Sequence, residues 1–162
     1  MSHSAINPIP DCQLTWVFGL LETLDDRGGR DDGYKIAREL NFKFGDLLKV
    51  MKTAEILGFV STPDGDVVLE PLGKQLIESE INQRKLIVRE RLKALSLFAY
   101  LIRLLRGQED RALTKEVVLE HLAMLLPNET PEKMFSTIVN WGRYAELFGY
   151  NKDKDRFYLD QD

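Results

Sequence analysis

The chain is poor in the residues that build disulfide-stapled or metal-bound proteins, since its 162 residues include one cysteine and two histidines. Cys12 has no second cysteine to pair with, which excludes an internal disulfide. His3 and His121 lack the partner cysteines of a standard zinc site, so we assign no metal site. This cysteine usage is typical of the reducing cytoplasm, where we expect the protein to be.

Long hydrophobic runs are also absent. The most apolar stretch, residues 92–105, contains Lys93 and Arg103, and the nine residues between these charges fall well short of the ~20 that span a bilayer. Residues 1–10 contain no Lys, Arg or apolar run, so they lack the features of a signal peptide and are predicted to form a flexible tail. We expect no membrane insertion and a cytoplasmic location, peripheral to the inner membrane only through a partner.

The sequence lacks the motifs of nucleotide hydrolysis and nucleophilic catalysis. Gly73-Lys74 has the Gly-Lys pair of a phosphate-binding loop, but Gln75 replaces the Mg²⁺-binding hydroxyl and Val68 stands where the first glycine belongs. With so few histidines, no Ser or Cys has an evident base, and His121 is interpreted as a surface or helix-edge residue. We assign no catalytic residue and no cofactor, and we predict that the protein is not an enzyme.

One loop has the composition of an anion site. In residues 26–30, Arg27 and Arg30 flank Gly28-Gly29, so guanidiniums and backbone amides could hold an anion. A loop between two helices also needs glycine to turn the chain, and we favour that interpretation.

The residues that are present indicate a globular, mainly helical chain that is 44% apolar and 30% charged. Apolar residues at steps of three and four predict helices over residues 14–24, 34–40 and 44–57. Asp11 is a candidate N-cap of the first, Asn41 ends the second, and Gly58 is a candidate left-handed cap of the third. The period then changes to two, which predicts a β-hairpin over residues 59–70. This is the element order of a winged helix.

The second half repeats this order. Residues 145–150 echo residues 54–59 at an offset of 91, and Leu159 aligns with Leu69 at an offset of 90. Helices are predicted over residues 115–126, behind Thr114, and from Thr130-Pro131 onward. One long central helix over residues 82–106 takes the place of the first helix. We therefore predict an α+β fold of mainly helical character with a flexible tail (1–10), two winged-helix units (11–72 and 82–162) and a helical connector (73–81).

The central helix has a narrow cationic stripe opposite its apolar face. The stripe has three interpretations: a solvated face, a surface for an acidic protein partner, or a surface for nucleic acid or anionic lipid headgroups. The candidate partner surface consists of this stripe and one arginine of the second unit: Lys85, Arg89, Lys93, Tyr100, Arg103 and Arg143.

A winged helix can also bind DNA, with its third helix in the major groove and its wing on the phosphates. The candidate DNA-contacting residues are Lys43, Lys49, Lys52 and Thr53, although Asp64, Asp66 and Glu70 of the wing would repel phosphate. Six further residues are assigned structural roles: Trp16, Gly58, Trp141, Gly142, Tyr144 and Gly149. We expect Trp16 to lie in the core and Gly142 to lie where another part of the chain approaches its helix closely.

Residues 140–150, with the motif Asn-Trp-Gly-Arg-Tyr-Ala-Glu-Leu-Phe-Gly-Tyr, together with segments 26–30, 54–59 and 69–73, resemble a known family. This family is the C-terminal AAA-associated domain, found in prokaryotes behind the ATP-binding subunit of nitrate, sulfonate and bicarbonate type ABC transporters. The resemblance implies a non-catalytic regulatory or interaction module whose partner is a transport ATPase subunit. The alternative is a winged-helix DNA-binding transcriptional regulator, and a homodimer stays open.

Overall fold

The computed structural model describes residues 5–160, which fold as two compact units. The N-terminal unit is Cys12–Ile87. The C-terminal unit joins the described residues of Met1–Asp11 to those of Val88–Asp162. Within the described residues the protein is mainly helical, with eight α-helices and two small antiparallel sheets, as the predicted α+β class requires.

The N-terminal unit contains four helices and a three-stranded antiparallel sheet of order β1-β3-β2. Its elements are α1 (Leu14–Asp26), β1 (Arg30–Asp32), α2 (Gly33–Glu39), α3 (Phe44–Ile56), β2 (Val60–Ser61), β3 (Asp66–Leu69) and α4 (Pro71–Glu78). A 3-10 turn over Pro63–Gly65 joins β2 to β3. The first strand was not predicted, because its three residues, Arg-Asp-Asp, carry no apolar alternation.

The core of this unit forms from one stripe on each helix. The residues of α1 that are buried recur at helical spacing, and they pack against the buried faces of α3 and the sheet. The fully buried members include Val17, Leu20, Leu24, Leu47, Ala54, Leu57, Phe59 and Val67. Trp16 lies at the margin of the α1 stripe and is 50% exposed, so its assignment to the core was wrong.

The C-terminal unit has the same kind of sheet, of order β4-β6-β5. Its elements are the end of α5 (Ile81–Lys93), then α6 (Ser96–Arg106), β4 (Ala112–Leu113), α7 (Lys115–Leu125), α8 (Pro131–Tyr144), β5 (Phe148–Asn151) and β6 (Arg156–Leu159). An aromatic stack fills its core, with Phe98 lying nearly parallel to Trp141 at 6.1 Å and to Phe148 at 5.5 Å between ring centres.

The predicted long central helix is two helices. Leu95 has an extended conformation (φ −80°, ψ 135°) and serves as the N-cap of α6, and α5 ends at Lys93 with i→i−3 bonds from Ala94 and Leu95. An unbroken helix would carry apolar side chains around nearly its whole circumference. The break leaves α6 with one coherent buried face, formed by Leu97, Phe98, Leu101, Ile102 and Leu105.

The N-terminal segment also differs from the prediction. Residues 1–4, including His3, lie outside the described residues, but within residues 5–10 the side chain of Ile9 is buried and the Asn7 amide donates to the Ser96 hydroxyl. The prediction of a loose tail is therefore wrong for this part. Asp11 does not cap α1, whose N-cap is Gln13, and instead its carboxylate accepts a hydrogen bond from Thr137.

The two units repeat one order of elements, helix-strand-helix-helix-strand-strand, with the same strand order in each sheet. Equivalent main-chain bonds end the third helix of each copy: Phe59 N–H donates to Ala54 C=O, and Leu147 N–H donates to Gly142 C=O. These bonds align α3 with α8 at an offset of 88 residues. Leu159 aligns with Leu69 at an offset of 90, because the hairpin of the second copy is two residues longer.

The six-residue sequence echo at an offset of 91 is therefore three residues out of structural register. Gly58 has the left-handed conformation predicted for it (φ 83°), but its equivalent in the second copy is Glu146 (φ 55°) and not Gly149. The order of the elements repeats, but the short motif that suggested the repeat does not align them.

Candidate protein-binding surfaces

The cationic stripe predicted on the central helix does not form one exposed surface. Arg89 is 9% exposed, and its Nε donates a hydrogen bond of 2.7 Å to the carbonyl of Ala145. Arg89 therefore holds the end of α8 within the C-terminal unit. Helical spacing alone put it beside Lys85 and Lys93, but the C-terminal end of α5 is buried on that side.

The other members of the stripe are also engaged or separated. The Tyr100 hydroxyl lies 2.7 Å from Nδ1 of His121, and Lys93 pairs with Glu90 at 3.3 Å. Arg103 is exposed, while Lys85 belongs to the N-terminal unit and is half-buried. Arg143, the remaining candidate, is exposed and donates to the carbonyl of Tyr150.

Three of the four candidate DNA-contacting residues are exposed on or before α3. Lys43, Lys49 and Lys52 all lie in solvent. Thr53 is fully buried, and its hydroxyl donates a 2.8 Å hydrogen bond to the carbonyl of Lys49. The prediction that Thr53 contacts a ligand is therefore wrong, since a threonine that bonds back to its own helix and faces the core presents nothing to solvent.

The same part of the N-terminal unit exposes large apolar side chains that sequence reasoning missed. Tyr34 of α2 is 65% exposed and stacks on Phe44 of α3, with ring centres 4.5 Å apart and planes 7° apart. Leu48, one turn along α3 from Phe44, is 47% exposed. We call the surface formed by Tyr34, Phe44, Leu48, Lys49 and Lys52 the α2–α3 face. The signal that could have found it was the four-residue step from Phe44 to Leu48, which lies off the buried stripe.

Positive charge is concentrated in this region. Residues 33–52 contain five Lys or Arg and two Asp or Glu, a net of +3, whereas residues 12–87 as a whole contain ten and thirteen, a net of −3. The α2–α3 face is thus a local cationic patch with apolar side chains inside it, on an otherwise acidic unit.

A second apolar feature of this unit is a cavity of about 300 Å³ beside α1. Trp16 and Phe42 meet edge to face at its rim, with ring centres 4.9 Å apart. Gly19 lies in its wall, where a Cβ would meet no atom within 4 Å. The cavity is lined by Thr15, Trp16, Gly19, Leu20, Leu40 and Phe42.

The loop of residues 26–30 is built as a turn and not as an anion cradle. The backbone amides of Gly28 and Gly29 donate to carbonyls of the last turn of α1, and both glycines have positive φ. The two guanidiniums pair with acids, Arg27 with Asp31 and Glu39, and Arg30 with Asp66. A hydrogen bond from the backbone amide of Asp32, together with Arg27, lowers the pKa of Asp31 below its ordinary value.

The residues given structural roles in the C-terminal unit lie at close approaches. Trp141 is fully buried, and a Cβ on Gly142 would lie 2.8 Å from Cβ of Phe148. Gly149 lies directly under the ring of Tyr158, where any Cβ would clash. Tyr144 is half-buried.

Across residues 5–160, no group of His, Cys, Asp and Glu side chains is placed to hold a metal ion. The single thiol, that of Cys12, is buried. The hydroxyl of Tyr100 lies beside His121, and both rings are half-buried in the C-terminal unit. None of the helices described has the length and apolarity to cross a membrane.

Comparison with known proteins gives one match. The family model of the C-terminal AAA-associated domain matches residues 34–151, which span most of both units and 118 of the 162 residues. Neither the curated proteins nor the solved structures compared with the chain contain a significant match.

Proposed function

We propose that this chain, which belongs to the C-terminal AAA-associated domain family, is a non-catalytic module that binds and regulates an ATPase subunit. The family match over residues 34–151 carries the proposal, because a domain associated with AAA-type ATPases is expected to work by contact with one. Because the family is found behind the ATP-binding subunit of nitrate, sulfonate and bicarbonate type ABC transporters, we expect the ATPase to belong to such a transporter. The module then acts in the cytoplasm, at the inner membrane only through that partner.

The surface chemistry supports a binding role. Exposed aromatic and aliphatic side chains such as Tyr34, Phe44 and Leu48 are the kind of residue that dominates protein-protein interfaces. We further interpret each unit as a winged helix, a scaffold that presents its third helix to a partner; the shared strand orders β1-β3-β2 and β4-β6-β5 favour that interpretation.

The test is capture of the partner from native extract. The tagged full chain is incubated with nuclease-treated extract solubilised in mild detergent, and co-eluting chains are identified by mass spectrometry. We expect an ATP-binding subunit in near stoichiometric yield, with its permease, and no ATP hydrolysis by the module alone. Recovery of the bait alone, or turnover of ATP by the purified chain, refutes the proposal.

A second candidate, a DNA-binding regulator, is favoured by one observation. Lys43, Lys49 and Lys52 are exposed together on the helix that a winged helix would lay in the major groove. This function predicts saturable binding to duplex DNA that weakens steeply with salt. Binding titrations of the purified chain with duplex DNA at two salt concentrations decide between the two candidates.

A further inference from the structure

We infer that the α2–α3 face is the docking site for an acidic amphipathic helix of a protein partner, an assignment that rests on the proposed function for the identity of that partner. The face has an apolar centre, with Phe44 and Leu48 one turn apart and Tyr34 stacked on Phe44. Lys49 and Lys52, which follow Leu48 by one and four residues in α3, are exposed next to it. A partner that covers it needs apolar side chains in a stripe and acidic side chains beside the stripe.

The duplication shows that the fold does not require this face. At the offset of 88 that the helix-ending hydrogen bonds define, Phe44 corresponds to Glu132, Leu48 to Ser136 and Lys52 to Asn140. These three residues of α8 are exposed and polar, as the outer face of a helix in water normally is. The same helix position is therefore stable with an ordinary polar surface, and the apolar surface of α3 needs another explanation.

The net charge around the α2–α3 face indicates the sign of the charge that the partner carries. Residues 33–52 carry a net charge of +3, whereas the equivalent residues 121–140 carry one Lys and two Glu, a net of −1. The exposed acidic residues of α3 are Asp46 and Glu55, and the carboxylate of Glu55, which keeps its charge, accepts a hydrogen bond of 2.6 Å from the hydroxyl of Thr62. With both acids counted, residues 33–56 still carry five Lys or Arg against three Asp or Glu, a net of +2, which favours an acidic partner.

The apolar residues decide between a protein and a nucleic acid. A helix that reads DNA presents polar and cationic side chains to base edges and phosphates. Two side chains that are 40% and 47% exposed, Phe44 and Leu48, would instead face an anionic, hydrated groove. Covered by a leucine stripe they would form the apolar centre of an interface, with the lysines at its rim.

Two charge-reversal variants test the assignment. Lys49→Glu/Lys52→Glu reverses the rim of the face, and Lys152→Glu/Lys154→Glu makes the same change in the exposed turn between β5 and β6. All four side chains lie in solvent, so both variants are expected to keep the far-UV circular dichroism spectrum and melting temperature of the native chain. A third variant, Leu48→Gln, removes apolar surface without changing charge.

The probe is a fluorescein-labelled helical peptide with a leucine stripe flanked by glutamates, followed by fluorescence anisotropy. We expect it to bind the native chain and the Lys152/Lys154 variant equally, and the Lys49/Lys52 and Leu48 variants at least about 10-fold more weakly. A matched peptide with lysines in place of the glutamates should not bind. Equal binding by all variants, no binding of the acidic peptide, or preferential binding of duplex DNA through Lys49 and Lys52 overturns the assignment.

The same variants used as bait separate this inference from the proposed function. If the ATPase subunit co-purifies with the native chain and the Lys152/Lys154 variant but not with the Lys49/Lys52 variant, both stand. If every variant captures it, the module binds its ATPase by another surface and the docking assignment fails alone. If no form captures an ATPase, the proposed function fails, and the peptide titration decides the docking assignment separately.

Discussion

Any side chain at Gly73 of α4 should destabilise the protein, even though this glycine has ordinary helical geometry. A Cβ built on it lies inside van der Waals contact with the carbonyl oxygen of Phe59 and 2.8 Å from Cδ1 of Leu69. That carbonyl also accepts the Glu70 amide, a 2.9 Å bond that joins the residue before β2 to the N-cap of α4. Alanine here would gain about 1 kcal/mol of helix propensity. It would lose about 3 kcal/mol or more by displacing backbone and weakening that bond, so Gly73→Ala should lower the free energy of unfolding by about 2 kcal/mol.

Gly19→Ala is the matched control in the same unit. A Cβ on Gly19 meets no atom within 4 Å, so only the propensity gain remains and the variant should be more stable by about 0.5–1 kcal/mol. Urea unfolding of the full chain, followed by circular dichroism at constant slope, measures both changes. If Gly73→Ala is as stable as the native chain, or if the two substitutions shift stability in the same direction, the close approach of α4 to Phe59 and Leu69 is not the reason for the glycine.

Three further predictions concern single side chains of known burial. Arg89→Met should lower the free energy of unfolding by about 1–3 kcal/mol, because it leaves the buried carbonyl of Ala145 without its donor, and it should leave partner capture from extract unchanged. Desolvation and a 3.0 Å hydrogen bond donated to a carboxylate raise the pKa of Tyr150. The tyrosinate absorbance of Tyr150, taken as the difference between the native chain and Tyr150→Phe, should therefore titrate above pH ~10. The stability that the Tyr150 hydroxyl contributes should be complete below that pH and should fall as pH rises through the raised pKa. Trp16→Phe should leave blue-shifted fluorescence that acrylamide quenches weakly, and Trp141→Phe the reverse, since the first tryptophan is half exposed and the second fully buried.

The sequence predicted the helices and hairpins well because their signals are local. The steps of three and four in α1 and α3, and the change to a period of two after Gly58, follow from which side of each element faces the core. The strands β1 and β4 were missed since they are three and two residues long and owe their pairing to β3 and β6, which lie more than thirty residues further along the chain. The break at Leu95 was missed for a similar reason, because a leucine between two apolar helices carries no stop signal.

Candidate sites were harder to predict because exposure is a tertiary property. A helical projection put Arg89 and Thr53 on open faces, and both are buried with their polar atoms bonded to main-chain carbonyls. It put Trp16 in the core, and the ring lies instead at the rim of a surface cavity. The apolar part of the α2–α3 face was overlooked because Phe44 and Leu48 look like core residues when the direction of the core is unknown.

The second copy shows how a duplicated fold can exchange one core for another without changing its element order. At the offset of 88, Thr53, Ala54 and Val60 of the first copy correspond to Trp141, Gly142 and Phe148. Trp141 and Phe148 are large aromatics where the first copy has Thr53 and Val60. Gly142 has no side chain where the first copy has Ala54, and a Cβ on Gly142 would lie 2.8 Å from Cβ of Phe148. The ring at 148 thus explains the glycine at 142, and the cost of that glycine to the helix is offset by the aromatic stack of Phe98, Trp141 and Phe148. The second copy thus combines an aromatic core with a polar outer helix face, whereas the first copy exposes Phe44 and Leu48 on the equivalent helix.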